Sequence, residues 1–435
     1  MKQFRQPPAP PPSKDLELWG LDAELAVLAR GLRNGGQHTK GSGSLRVPPS
    51  ELDWTAASLI ALQRGLTDTR VRVGTAYMDE ADALSAYLLF YWQTSHAQMQ
   101  GLFHMAKAAI EEGKWPWADA KRIRILDLGS GPGPAGIALA EALAIEDCQL
   151  SFCDRSPLAV SCARTLAQAR GWTPDSRAPW MAGSDPLPEG PFDFVILSHV
   201  LNELGGTDED RHNHRMKLLE AALEVLAPGG ALLLLEPALL STSRDLLLQR
   251  DRLVARGMRP LAPCFHDGPC PAYAESNQSC HSEFSPPQRP LIAALSQKTG
   301  LDRSAVKSCC FFFMRETEAP KRMHAWRVVS EQRRNKAGRS RVSLCGPAAA
   351  GGTSPDFPED LASRVDGEPG GARFNLSTAG DLKANGPKGL RPIARSDQLL
   401  VEHPEIRETG WGVGPETRLT LCNEYYTGAG ERTRS

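Results

Sequence analysis

Residues 262–284, APCFHDGPCPAYAESNQSCHSEF, place three cysteines and two histidines in a stretch otherwise rich in proline and polar side chains. Cys264, Cys270 and Cys280 are separated by five and nine residues, with Pro263, Pro269 and Pro271 beside the first two. Such a segment suits core packing poorly, and thiols left bare in it would be open to oxidation. Thiolates this close along the chain are soft metal ligands, and Zn(II) or an iron–sulfur cluster would need a fourth donor. The candidates are Cys345, isolated in a polar context before a linker, Cys309 or Cys310 in the apolar KSCCFFFM, and His266 or His281. The apolar pair reads as core strand, whereas Cys345 is harder to explain by packing. Spacing alone favours zinc.

A second chemical signal is ILDLGSGPGPAGIALAEAL, a strand, a glycine turn and the start of a helix. Gly129, Gly131 and Gly133 let backbone approach a ligand where a side chain would obstruct it, and the helix start offers unpaired N–H groups. Gly131, Gly133 and Gly136 also satisfy the dinucleotide pattern G-x-G-x-x-G, with Asp154 placed to accept both ribose hydroxyls of either cofactor. Asp127, two residues before Gly129, favours S-adenosylmethionine (SAM): a carboxylate there suits a sulfonium ligand and repels a pyrophosphate. Downstream, FDFVILSHVLNEL and VLAPGGALLLLEP look like the fourth and fifth strands of a class I methyltransferase. The predicted cofactor-binding set is Asp127, Gly129, Ser130, Gly131, Gly133, Asp154, Asp185 and Ser198, with Asp185 in the turn AGSDPLP expected near the adenine amino group.

Methyl transfer is an in-line displacement that the protein serves mainly by alignment, with a base where the acceptor needs one. The residues after the fourth strand are where such a base belongs, and His199 and Glu203 are the catalytic candidates. They would share a helix face if a helix began there. The N-P-P-Y signature of base-amino methyltransferases and a Pro-Cys pair are both missing, so SAM binding is better supported than transfer.

The elements that must position these groups follow from patterning. At 435 residues, with 41% hydrophobic residues and a formal net charge of −1, the chain has the composition of a soluble protein of several domains. No apolar run approaches the roughly 20 residues that span a bilayer, so no membrane association is expected. Residues 1–16 are proline-rich and read as disordered. Residues 17–117 carry apolar residues at helical spacing and predict a helical domain, with Tyr77, Tyr87 and Tyr91 weighed mainly as packing aromatics. Residues 118–260 alternate strand-like and helical runs, which predicts a Rossmann-like doubly wound α/β domain. Residues 261–346 form a cysteine-rich extension whose end, 321–346, holds eight Lys/Arg against one Glu. Residues 347–435 begin as a linker and suggest neither fold nor role. With no export or organelle-import signal evident at the start, a reducing bacterial cytoplasm is the expectation, where the ten cysteines serve as thiols or ligands.

The order LDLGSGPGPAG, ILSHVLNEL, GGALLLLEPALLSTSRDLLLQR, APCFHDGPCP, CH and a late isolated cysteine resembles the methyltransferase-like proteins associated with the small subunit of the mitochondrial ribosome, and their bacterial relatives. The resemblance covers roughly residues 70–346. It implies a [4Fe–4S] cluster on Cys264, Cys270, Cys280 and Cys345, binding to small-subunit rRNA during assembly, and loss of methyl transfer in some members. This sequence departs from the family in the gap PAYAESNQS before Cys280 and in lacking a recognisable presequence. On that reading the cations of 321–341 would clamp rRNA phosphates.

Overall fold

The computed structural model describes residues 15–35, 44–110, 114–205, 208–334, 336, 340–347, 371–378, 393–407 and 410–422. The proline-rich start and the linker expected after residue 347 lie outside them.

The N-terminal part is helical around a short antiparallel pair. Strand β1 (Leu16–Trp19) precedes helix α1 (Gly20–Arg33), and β2 (Ser44–Val47) closes on β1 before α2 (Pro49–Gln63) and the long α3 (Ala81–Ala108). Helix α3 buries residues around most of its circumference, among them Leu84, Leu88, Phe90, Trp92, Met99 and Phe103, as a helix enclosed on several sides must. One side meets α1 and α2, another meets the central sheet, and Trp92 Nε1 donates to Pro132 O at 2.9 Å. The helices and one sheet face therefore share a single hydrophobic core.

The central sheet is built from β3 (Arg122–Leu128), α4 (Pro134–Leu143), β4 (Asp147–Cys153), α5 (Pro157–Gln168), β5 (Asp175–Arg177), β6 (Phe192–Ser198), α6 (Asp208–Glu224), β7 (Leu226–Pro237), α7 (Leu240–Val254), β8 (Met258–Ala262), α8 (Pro271–Ala274), β9 (Ser282–Phe284), α9 (Pro290–Thr299) and β10 (Val306–Arg315). Its order is β5-β4-β3-β6-β7-β10-β8, with β9 beside the start of β10. Strands β3 to β7 are parallel, and runs such as FVIL and ALLLL in them are apolar throughout because both faces are covered. The sequence pattern implies a parallel sheet; β10 is the exception, running antiparallel to both β7 and β8. KSCCFFFM is the middle of that strand, and Phe311, Phe312 and Phe313 are buried. Because β10 returns to the sheet, it extends past residue 260 to Arg315, and the cysteine stretch is an excursion between two of its strands.

Eight described strands between Trp326 and Leu421 form a second sheet that the sequence did not suggest. Strands β11 (Trp326–Val328), β12 (Arg333–Arg334), β13 (Ser340–Pro347), β14 (Gly371–Thr378), β15 (Gln398–Glu402), β16 (Glu405–Arg407), β17 (Gly410–Val413) and β18 (Arg418–Leu421) take the order β16-β17-β14-β13-β11-β15-β18, with β12 on β13. Val328, Leu344, Leu399 and Trp411 fill its core, where Trp326 and Trp411 meet edge to face at 5.0 Å. It is fastened to the first unit by Ser396 Oγ, which accepts from Glu283 N at 2.7 Å, and by Gln398 Nε2, which donates to Met105 O at 3.2 Å.

Candidate functional site

The turn after β3 opens into a cavity of about 610 Å³. Gly129, Gly131 and Gly133 hold left-handed backbone, with φ of 65°, 52° and 75°. A Cβ on Gly129 would strike Val200, and one on Gly131 would lie 3.2 Å from Met78 Sδ. Glycine is thus required twice over. Asp154 ties the turn down: its Oδ2 accepts from Gly131 N at 2.8 Å and its Oδ1 from Ser156 N at 2.9 Å.

The predicted residues divide into two groups. Gly129, Ser130, Gly131, Asp154 and Ser198 line the cavity, together with His199 and Glu203. Asp127 lies beneath the turn, fully buried, its Oδ2 accepting from Gly136 N at 2.9 Å. Burial pushes its carboxyl up to about 7, and its Oδ1 has no partner. Gly133 packs against Phe152 and Ala163. Asp185 braces the turn from outside the lining, accepting from Met181 N at 2.7 Å, while Trp180 and Met181 form the wall. The unpartnered Ser198 Oγ and the glycine cradle suit a polar nucleoside ligand.

His199 and Glu203 do not share a helix face. His199 has φ of 62°, residues 201–203 make one 3₁₀ turn, and α6 starts only at Asp208. Burial pushes the His199 imidazole down to about 4, so it is neutral near pH 7. Gln98 Nε2 donates to Lys307 O at 2.8 Å, which turns its Oε1 toward His199 Nε2 at 3.0 Å. The imidazole proton therefore sits on Nε2. Glu203 is pushed up to about 7 by burial, against the pull of Arg155 at 3.8 Å.

Residues 64–80 strap the cavity mouth. Gly74 N donates to Glu203 Oε2 at 3.3 Å, Arg155 Nη1 donates to Gly74 O at 2.6 Å, and Arg70 Nη2 donates to Asn202 Oδ1 at 3.3 Å. Tyr77, Tyr87 and Tyr91 line the cavity rather than only packing, and Arg303 and Lys307 complete its far end. No periodicity marks a strap, and the far-end cations come from a segment more than a hundred residues beyond the glycine turn, so neither was legible in sequence.

The cysteines form the second site. Cys264 follows β8, Cys270 precedes α8, Cys280 precedes β9 and Cys345 lies in β13; the first three are buried and the fourth partly exposed. Burial raises the Cys264 and Cys270 thiols, and the thiols then raise one another: Cys280 acts on Cys264, and Cys280, Cys264 and Cys345 act on Cys270. Four segments thus bring four sulfurs into one electrostatic neighbourhood. His266, also weighed as a ligand, is buried with Nε2 3.9 Å from Cys345 Sγ, whereas His281 pairs with Glu283 at 3.0 Å. Cys309 and Cys310 border the group and contact Ser243 O at 4.0 Å and Ser282 Oγ at 3.6 Å.

Among the described residues no three His, Cys, Asp or Glu side chains converge as a single ion demands. One zinc would draw four sulfurs to about 3.8 Å of one another, as a tetrahedron with 2.3 Å bonds requires. A larger cluster leaves them farther apart, and four cysteines are the donor set of a [4Fe–4S] centre. Two buried guanidiniums adjoin the thiols. Arg327 Nη1 donates to Cys280 Sγ at 3.1 Å and its Nη2 to Ser282 Oγ at 2.8 Å and His281 O at 2.6 Å. Arg250 donates to His266 O at 2.7 Å and to Gly268 O, and pairs with Asp251 at 2.6 Å. Neither arginine nitrogen Nε has a partner. A buried cation needs anionic company: Asp251 gives it to Arg250, and thiolates would give it to Arg327.

The strand order departs from the dinucleotide-binding 3-2-1-4-5-6 by one reversed strand inserted next to the last. With the glycine turn and the aspartate after the second parallel strand, this is the class I SAM-dependent methyltransferase fold. Residues 86–350, more than half of the chain, match the family described as "Mitochondrial small ribosomal subunit Rsm22", and the chain belongs to that family. No curated protein matches it. Solved structures similar to it include a protein from Pyrococcus horikoshii OT3 (23% identity over 30% of this chain and 55% of that one, TM-score 0.22) and PKMT2 from Rickettsia typhi (17%, 37% and 29%, 0.26). A third, from Listeria monocytogenes and described as a class I S-adenosylmethionine-dependent methyltransferase, shares 14% identity over 68% of this chain and 88% of that one, with a TM-score of 0.33. The chain thus spans about half and less than a third of the first two proteins. Among the described residues no helix is long and apolar enough to cross a membrane.

Proposed function

We propose that this chain is a SAM-binding, [4Fe–4S]-carrying factor that binds the rRNA of the small ribosomal subunit and assists its assembly or translation. The observation that carries the reading is that Cys264, Cys270, Cys280 and Cys345, from four segments, share one electrostatic neighbourhood in a chain that also holds a glycine-turn cavity and belongs to a family described by its small-subunit association. Gly129, Ser130, Gly131, Asp154 and Ser198 would hold the nucleoside, with Asp127 fixing the turn from below. The four cysteines would hold the cluster. Bound there, the two groups supply an electrophilic methyl and a one-electron centre.

The basic segment supports RNA contact in a narrower form than its composition suggests. Of its cations, Arg322 pairs with Asp267 at 2.9 Å and Arg327 is buried, so these two serve the fold. Arg333, Lys336 and Arg341 are exposed on or beside the β12–β13 hairpin, and these are the phosphate ligands of the proposal. An anaerobic preparation tests the whole reading by iron, sulfide and zinc analysis, SAM calorimetry, and sedimentation with small subunits. A colourless protein with stoichiometric zinc, or no co-sedimentation, would overturn it.

A second reading, active methyl transfer, draws on the cavity's extension beyond the glycine turn to Tyr87, Tyr91, Arg303 and Lys307, where an acceptor fits. His199 is neutral, and its protonated Nε2 leaves Nδ1 as the basic atom. Transfer of tritium from labelled SAM to RNA, lost in His199→Ala, would establish it.

A further inference from the structure

We infer that Arg327, seconded by Arg250, would set the electron affinity of the cluster by donating a charged hydrogen bond to the Cys280 sulfur and by holding buried positive charge beside the segments that carry the thiols. This rests on the cluster reading above.

Arg327 stands in β11, where its neighbours Trp326 and Val328 point into the core of the second sheet. The alternation of the strand turns Arg327 to the opposite face, toward the first unit. There it reaches Cys280 Sγ, His281 O and Ser282 Oγ, all in the segment leading into β9. These partners spend both terminal nitrogens on one thiol and its two following residues. No carboxylate is among them, which is unusual for a guanidinium only 2% exposed. Cys345 is its direct partner across β13, so the side chains of these two residues stand on the same face. Arg250, 0% exposed, approaches from α7 through the carbonyls of His266 and Gly268, which lie in the segment between Cys264 and Cys270. Its carboxylate partner Asp251 turns its other oxygen to accept from Cys270 N at 3.1 Å, so the pair also fixes the backbone of a ligand.

A [4Fe–4S]²⁺ core with four thiolates carries two negative charges, and one-electron reduction raises this to three. The reduced form therefore gains most from nearby fixed positive charge and from N–H donors to sulfur, and both raise the potential of such a centre. Plain packing predicts no such effect, because a neutral side chain of equal volume would serve as well.

The test is potentiometric titration of the anaerobically prepared protein, followed by the electron paramagnetic resonance of the reduced cluster. Arg327→Gln keeps an N–H donor and removes the charge, and Arg327→Lys keeps the charge but cannot hold both Cys280 and Ser282. Gln should lower the reduced-to-oxidised ratio at fixed potential about tenfold, a shift of about 59 mV downward for one electron, with Lys in between. Iron and sulfide per chain are measured on the same samples. Wild-type protein without iron would remove the cluster reading itself. Loaded wild type and loaded variants with the same potential would leave the cluster standing and overturn this inference. Should Gln fail to load, the Lys variant decides in the same way, an unshifted potential being the adverse result.

Discussion

Arg327 and Cys345 are direct partners across the antiparallel pair β11–β13, and the Arg327 guanidinium continues to Cys280 Sγ at 3.1 Å. One arginine thereby lies against two cysteines that are 65 residues apart in sequence. Removing the sulfur at 345 should lower iron retention without unfolding the central sheet, whose core does not include Cys345. On the cluster reading, Cys345→Ser is expected to carry less iron than the four atoms per chain proposed for the wild type and to lose broad visible absorbance, with far-UV circular dichroism preserved. Full iron content in Cys345→Ser would assign the fourth ligand elsewhere, with His266 at 3.9 Å from that sulfur the next candidate.

SAM affinity should depend on the turn more than on any one contact. Asp154→Ala frees Gly131 N and Ser156 N, and hydrogen bonds to a charged group contribute about 1.5–3 kcal/mol each. Calorimetry should show SAM binding weakened at least tenfold. Gly131→Val, which forces a side chain into left-handed backbone against Met78, should abolish it. Unchanged affinity in both variants would place the nucleoside elsewhere.

Glu236 is a pH-dependent liability. It is fully buried, accepts from Leu201 N at 2.8 Å and Asn202 N at 3.3 Å, and burial pushes its carboxyl up to about 7 from an ordinary 4.5. Below pH 4.5 the acid is protonated in both folded and unfolded chains. As pH rises from 4.5 to 7 the unfolded chain ionises first, so the stability that this group contributes at low pH is lost across that window and stays lost above it. Glu236→Gln removes the slope. Urea midpoints of the two proteins should diverge in favour of the variant by roughly 2 kcal/mol between about pH 5 and pH 8; a constant difference would refute the burial argument.

Arg333 and Arg341 are register partners on the β12–β13 hairpin and both are exposed. Their double replacement by glutamate should weaken binding to small-subunit rRNA and flatten its dependence on salt by up to about 2 in log–log slope, the signature of two lost phosphate contacts. Filter binding across a salt series measures it. An unchanged slope would mean that these arginines do not meet phosphate.

The parts of this molecule that were legible in sequence are those where local pattern and structure coincide. Apolar runs such as ALLLL gave the buried strands, and Gly129, Gly131 and Gly133 announced the turn because positive φ leaves few alternatives. The reversal of β10 was hidden, since VKSCCFFFMR is equally apolar whichever way it runs. A shared helix face for His199 and Glu203 depended on a helix beginning there, and four-residue spacing cannot say whether one does where a residue at φ 62° interrupts the backbone. The second sheet was missed because its strands are two to eight residues long and pair across gaps that leave no periodic trace. Arg327 was grouped with the phosphate-clamping cations of 321–341, since nothing local distinguishes it from Arg333, and Arg250 drew no attention inside its helical run.

The position of Cys345 also has a meaning in time. Chains emerge from the ribosome at about 5–20 residues per second, so the interval between Cys280 and Cys345 amounts to roughly 3–13 s of synthesis. Throughout it the nascent polypeptide presents three sulfurs and Arg250 without their closing strand. On the cluster reading, a growing chain would offer iron only three of the proposed ligands until β13 brings the fourth.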